Sequence, residues 1–120
     1  SYSYEMLEKE GRTVWDGVKN PLAQKFMKSA KVGDMAYIYH TGDEKAIVGL
    51  AKIVSEPYQD ASGLFVFDVE PVRRLKRSIS LSEIKSSEAF KDFYLVKMPR
   101  LSVMEVPEEL VKVIEKLENG

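Results

Sequence analysis

Apolar positions along this chain switch repeatedly between helical and strand spacing, and turn residues mark the switches. Ser3 to Glu10 reads as a short helix. Ser3 can cap it, Glu5 sits in its first turn, and Gly11 can end it in a left-handed conformation. Val14 to Lys19 has no clear period and centres on Trp15 and Gly17. Asn20-Pro21 predicts a helix start, because Asn accepts a free backbone N–H and Pro has none to satisfy. Leu22, Ala23, Phe26 and Met27 form the apolar face of that helix. Val32-Gly33-Asp34 predicts a turn, and the apolar run Met35 to His40 predicts a strand. Thr41 to Glu44 reads as a hairpin loop. Ala46 to Val54 is the return strand, with Gly49 marking a bulge or a close backbone approach. Leu64 to Leu75 alternates, with Phe65, Phe67 and Val69 opposite Val66, Asp68 and Glu70, and is expected to pair with the strand before it. Ser80-Leu81-Ser82-Glu83 is a capping box, and a second helical piece follows around Ser87 to Phe93. Leu101 to Val106 reads as a last strand. Pro107 opens a terminal helix whose apolar face carries Leu110, Val113, Ile114 and Leu117.

This order of elements predicts an α+β fold with antiparallel strands and helices at the ends. No βαβ alternation and no glycine-rich phosphate loop occur, which argues against a dinucleotide or nucleotide triphosphate site. The 120 residues fit one domain that can bury a core without staples. No run of 18 apolar residues is present, so no membrane partner is expected. The absence of cysteine excludes disulfides and thiolate chemistry and suits a reducing, cytoplasmic setting. The net charge of −1 changes the picture for nucleic acid. A protein that coats phosphates needs surplus Lys and Arg. Any nucleic-acid contact here must use a local basic patch and take its specificity from elsewhere.

Several residues carry candidate chemistry, each beside a plainer role. Trp15 is the single tryptophan and lies near Gly17. Its ring can stack on a base or plug a helix junction. Gly17 either admits a ligand close to the backbone or serves a turn. Asn20 can read a base edge, cap its helix, or do both. His40 can contact a base or end its strand bonded to backbone. Tyr37 and Tyr39 share one strand face; one can line a pocket, while two core aromatics is the more economical reading. Arg73, Arg74, Lys76 and Arg77 form the dense basic cluster, able to track phosphates or merely to solvate a face; Lys25, Lys28 and Lys31 can add to it. Arg100 and Ser102 alternate with Leu101 and Val103, so they project together as a pocket wall or a solvent-facing pair. One histidine and no cysteine leave no familiar zinc site, and no catalytic constellation or cofactor motif is found.

Four segments in order carry a resemblance. Val14-Trp15-Asp16-Gly17-Val18-Lys19-Asn20 resembles the W-x-G-V-R-N element of EVE domains. Lys31-Val32-Gly33-Asp34 with Tyr39-His40 is similar to their K-x-G-D…F-Y-H segment, Ile47 to Ala51 to I-V-G-x-A, and Arg100 to Val103 to R-L-S-V. The resemblance covers nearly the whole chain. It implies a PUA-like mixed, mainly antiparallel β-barrel with short flanking helices, spanning 1–120 as one domain and starting after the family's usual first strand, W-x-x-K-S-x-P. It implies a non-enzymatic module that holds a modified base of DNA in an aromatic-lined pocket, with an RNA-binding PUA-like module as the alternative. The expected pocket comprises Trp15, Gly17, Asn20, Tyr39, His40, Arg100 and Ser102. The expected phosphate contacts are Lys19, Arg73, Arg74, Lys76 and Arg77. Lys19 stands where the family often has Arg, which removes a flat, bidentate contact. A cytoplasmic monomer with nucleic acid as partner, and no cofactor or metal, completes the expectation.

Overall fold

The computed structural model describes residues 2–120. Helix α1 (Tyr4–Glu10) begins as the sequence predicts, with the Ser3 hydroxyl accepting from the Met6 N–H, and stops at Gly11, φ +74°. The irregular stretch after it holds a short strand, β1 (Thr13–Trp15). Helix α2 (Pro21–Lys28) is capped by the Asn20 side chain, which accepts from the N–H groups of Leu22 and Ala23. β2 (Met35–His40) and β3 (Ala46–Ile53) form the expected hairpin. A two-residue strand, β4 (Tyr58–Gln59), precedes β5 (Phe65–Ser80). Ser80 then caps α3 (Leu81–Lys85) by accepting from the Glu83 N–H. The Glu83 carboxylate does not complete the capping box; it pairs with Arg77. A 3₁₀ turn (Glu88–Phe90), a four-residue α4 (Tyr94–Lys97) and α5 (Glu108–Asn119) finish the chain. No helix is long and apolar enough to cross a membrane among the described residues.

All strand pairs are antiparallel, in the order β1-β5-β3-β2, with β4 also on β5. The α+β class is as expected, but two details differ. The ladders are antiparallel rather than mixed, and the sheet is open rather than a closed barrel: β1 and β2 are outer strands that do not pair with each other. Leu101 to Val106, the expected last strand, joins no ladder. Leu101 is buried in the core while its flanking residues run over the surface, so the partial alternation reports burial, not pairing.

Two apolar clusters lie against this sheet. The first gathers Tyr4 and Leu7 of α1, Val18, Ala23 and Met27 of α2, Ile38, Val48, Phe67, Val69 and Leu101. The second gathers Ile47, Leu75 and Ile79 with Ile84, Phe90, Phe93, Leu110 and Ile114 from the C-terminal helices. β5 serves both. Leu50 pairs with Arg73 and Ala51 with Pro71, so Val72 is an extra residue on β5. Such a bulge shifts the two-residue period by one. Phe67 and Val69 therefore enter the first cluster, whereas Leu75, at the same odd spacing, enters the second. A further irregularity, with Gly49 opposite Arg74 and Ile47 opposite Ile79, precedes Ile79, which also joins the second.

Candidate nucleic-acid interface

The site is built from the end of β1. Pairing of Trp15 with Phe67 sets the indole at the outer strand of the open sheet. The indole is half-buried: one side packs on the first cluster, and its ring meets Tyr2 edge-on, centroids 5.8 Å apart. Edge-to-face contact matches the positive rim of one ring to the negative face of the other. Gly17 follows at φ +75°, a conformation that L side chains rarely adopt, and a Cβ there would meet nothing within 4 Å. Gly17 thus serves the turn. Val18 is then buried, and the Lys19 and Asn20 that follow it are exposed.

Gln24 holds this bend in place, a role the sequence pattern does not signal. Its Nε2 donates to the Val18 carbonyl (2.8 Å) and to the Phe65 carbonyl (3.0 Å), while its Oε1 accepts from the Phe65 N–H (2.7 Å). One side chain thereby ties the Gly17–Asn20 loop and α2 to the start of β5. Asn20 spends Oδ1 on the cap of α2 (2.9 and 3.1 Å); its Nδ2 donates no hydrogen bond among the described residues. Cap and base contact are therefore compatible in one side chain.

His40 and Tyr39 fall differently from expectation. His40 Nε2 accepts from the Tyr4 N–H (2.9 Å), so the ring proton resides on Nδ1 and faces the Glu44 carboxylate at 2.7 Å. Both ring nitrogens are engaged, and the ring fastens α1 to the end of β2 instead of offering an edge to a base. Tyr39 packs against the second cluster, apart from the one Trp15 touches, and burial raises its phenol pKa. Alternation along β2 explains this: Ile38 joins the first cluster, and its neighbours Tyr37 and Tyr39 join the second. Arg100 and Ser102 are exposed beside Leu101, which shares the first cluster with Trp15 and Val18. The fold thus brings the Trp15–Asn20 loop and the Arg100–Ser102 segment over one core.

The basic run on β5 is engaged internally. Arg74 forms two bonds to Glu8 (2.8 and 3.2 Å) and stands 5.4 Å over the Tyr4 ring. Arg77 pairs with Glu83 (2.6 and 3.0 Å). Arg73 pairs with Glu118, whose carboxylate also accepts from the Lys76 N–H (2.7 Å); Lys76 Nζ reaches Asn119 Oδ1 at 2.8 Å. The three guanidinium partners hold the Glu8, Glu83 and Glu118 carboxyls below the usual carboxylate range. A cation already matched to a carboxylate has little field left for phosphate. By contrast Lys19, Lys25, Lys28 and Lys31 are exposed and make no salt bridge among the described residues.

Two shallow concavities mark the surface, and neither is lined by Trp15, His40 or Ser102. One of about 410 Å³ lies between Glu44, Lys45 and Ser82; the other, about 320 Å³, lies between Phe26, Tyr94 and Glu109. Neither reaches Trp15, whose half-buried indole forms a ledge at the outer strand of the sheet.

A sequence profile for the EVE domain matches residues 1–117. This chain belongs to the EVE domain family. It is 32% identical over 133 residues to thymocyte nuclear protein 1 of Homo sapiens, covering 88% of this chain and 59% of that relative. The chain therefore spans less than two thirds of that curated relative's length. A solved structure of Rpa0253 from Rhodopseudomonas palustris superposes with TM-score 0.91 at 33% identity, covering 98% of this chain and 86% of that one. A crystal structure of human THYN1 in complex with DNA containing 5-methylcytosine superposes with TM-score 0.91 at 30% identity, covering 99% and 86%. Within this EVE domain Val18 anchors the tryptophan element to the core, Trp15 packs on that core with one side, and Lys19 and Asn20 are exposed.

Proposed function

We propose that this EVE domain binds DNA and holds one base, with 5-methylcytosine as the leading ligand, against the indole of Trp15 without altering it. The observation that carries the reading is a half-buried indole at the outer strand of an open sheet, beside a braced loop that presents Lys19 and the Asn20 amide. The solved complex of human THYN1 with DNA containing 5-methylcytosine supports it. A flat aromatic face supplies about 1–3 kcal/mol of stacking per base. That is comparable to the few kcal/mol lost when a base leaves its stack. Arg100 and Ser102 supply polar groups over the same core, and Lys19 with Lys25 and Lys28 meets phosphates. The β5 arginines act as clamps in this reading. A binding role also suits the single histidine, whose ring is committed to Tyr4 and Glu44.

The test uses the single indole as reporter. Short single-stranded and duplex DNAs, each with cytosine or 5-methylcytosine at one position, are titrated while Trp15 emission is followed. The reading requires stronger quenching by the methylated DNA, and a loss of affinity of about fivefold or more in Trp15→Ala while circular dichroism still reports a folded chain. RNA of the same sequence forms a separate arm; tighter binding there transfers the assignment to RNA. Equal affinity of wild type and Trp15→Ala for every oligonucleotide rejects the stacking role.

A further inference from the structure

Away from Trp15, the concavity of about 320 Å³ has a distinctive lining: the rings of Phe26, Phe93 and Tyr94, and the carboxylates of Asp92, Glu105 and Glu109. Phe26 and Tyr94 stand 5.8 Å apart with planes inclined by 55°, so the wall holds a tilted pair of aromatic rings. Tyr94 is 38% exposed, so its ring can be reached from solvent. No basic residue lines the cavity. Asp92 has a loose partner in Lys97 at 3.7 Å, but Glu105 and Glu109 form no salt bridge among the described residues.

Aromatic faces carry negative quadrupole potential, and carboxylates add to it. A phosphate or a carboxylate ligand is repelled from such a place, so it is unsuited to nucleic acid. A cation with flat faces and several donors is favoured on both counts. Guanidinium stacks on aromatic rings and donates two parallel bonds to a carboxylate, whereas ammonium is more strongly hydrated and binds as a point charge. The volume is at the small end of ligand sites, with room for one side chain rather than a folded partner. We propose that this cavity is a binding site for the arginine side chain of a basic protein segment, with Tyr94 and Phe26 stacking and Glu105 and Glu109 pairing. The site is separate from the Trp15 ledge and does not depend on the reading of that ledge.

The probe is N-acetyl-arginine methylamide, compared with its citrulline, lysine and trimethyllysine counterparts, in amide-resolved NMR titrations of the whole chain. Arginine is expected to shift resonances around Tyr94 and Glu109, to outcompete lysine, and to weaken with added salt. Citrulline, which keeps the shape and loses the charge, is expected to bind at least about tenfold more weakly. Glu105→Gln with Glu109→Gln is expected to lower arginine affinity at least about tenfold. Tyr94→Ala is expected to lower it about two- to fivefold, with Tyr94→Phe retaining it. Trp15→Ala is expected to leave it unchanged while reducing DNA affinity. Citrulline binding equal to arginine reduces the site to an apolar groove and overturns the proposal. So does tighter binding of trimethyllysine, and so do shifts spread over the acidic surface without a centre at Tyr94.

Discussion

At the scale of single residues, close contacts fasten α1 and α2 to the sheet. A Cβ on Gly49 would lie 2.5 Å from the Tyr4 ring, which is fully buried, bonded through its hydroxyl to the Leu50 carbonyl (2.7 Å) and capped by Arg74. The ring has nowhere to go. Gly49→Ala is expected to lower unfolding free energy by about 1–3 kcal/mol in urea titrations, as overpacking does. A loss much below this range would mean that α1 yields easily. Gln24→Ala leaves the Phe65 N–H without its acceptor and frees the Val18 carbonyl. About 1–3 kcal/mol of stability is expected to go, together with base affinity, because the loop loses its brace. Asn20 offers a cleaner separation of roles. Asn20→Ser keeps an N-cap and removes the amide donor, whereas Asn20→Ala removes both. Calorimetry should show a loss of about 1 kcal/mol in Asn20→Ala alone, while both variants weaken base binding. Undiminished affinity in Asn20→Ser would make Asn20 a cap and nothing more.

At the scale of elements, β5 and α5 are held by one clamp. The buried Glu118 carboxylate accepts from Arg73 and from the Lys76 N–H, joining the last turn of α5 to the bulged half of β5. The hydrogen bonds from Arg73, then that from the Lys76 N–H, depress its pKa against the opposing pull of burial. The sign follows from linkage. The folded pKa lies below the unfolded one, so the contribution is complete above the unfolded carboxylate range, near about 4.3. It is lost as pH falls through the lower folded value. Glu118→Gln is therefore expected to lower Tm at pH 7, with the gap to wild type narrowing as pH drops toward 3. A gap independent of pH would show that packing of the side chain, not its charge, is what matters.

At the scale of the whole molecule, charge is balanced and locally paired, and this decides how the protein meets a polyanion. The net charge is −1, and the densest basic run is matched by Glu8, Glu83 and Glu118. Contacts from Lys19, Lys25 and Lys28 alone give a slope of log affinity against log salt of about −2 to −3. Lys19→Gln with Lys25→Gln is expected to flatten that slope by roughly one to two. Arg74→Gln is expected to leave it in place, because its guanidinium is already neutralised by Glu8. A salt series of DNA titrations separates the two cases, and a flattening confined to Arg74→Gln would return the phosphate track to β5. Since surface pairs contribute little to stability, Arg74→Gln should also fold almost as well as wild type.

Elements with a local cause were legible in the sequence. Ser3, Asn20 and Ser80 each cap a helix through a hydroxyl or amide within three residues of its target. The β2–β3 hairpin and the terminal helix likewise depend on nearby residues and on period alone, and Gly49 marked a close approach whose partner, Tyr4, only the fold supplies. So did the family, whose marks lie at Trp15, Tyr39-His40, Gly49 and Arg100 to Val103. What tertiary structure decided is where those side chains point and what they meet. The Val72 bulge switches the phase of β5, and no pattern of alternation announces an inserted residue. Tyr39 went to the second cluster, His40 was taken by Tyr4 and Glu44, and the β5 arginines found carboxylates from 6 to 66 positions away. Leu101 to Val106 alternates because one side is buried, yet burial requires only a core while a strand requires a partner edge. Local chemistry can be read from neighbours in the chain; pairing over long separations exists only once the chain has closed on itself.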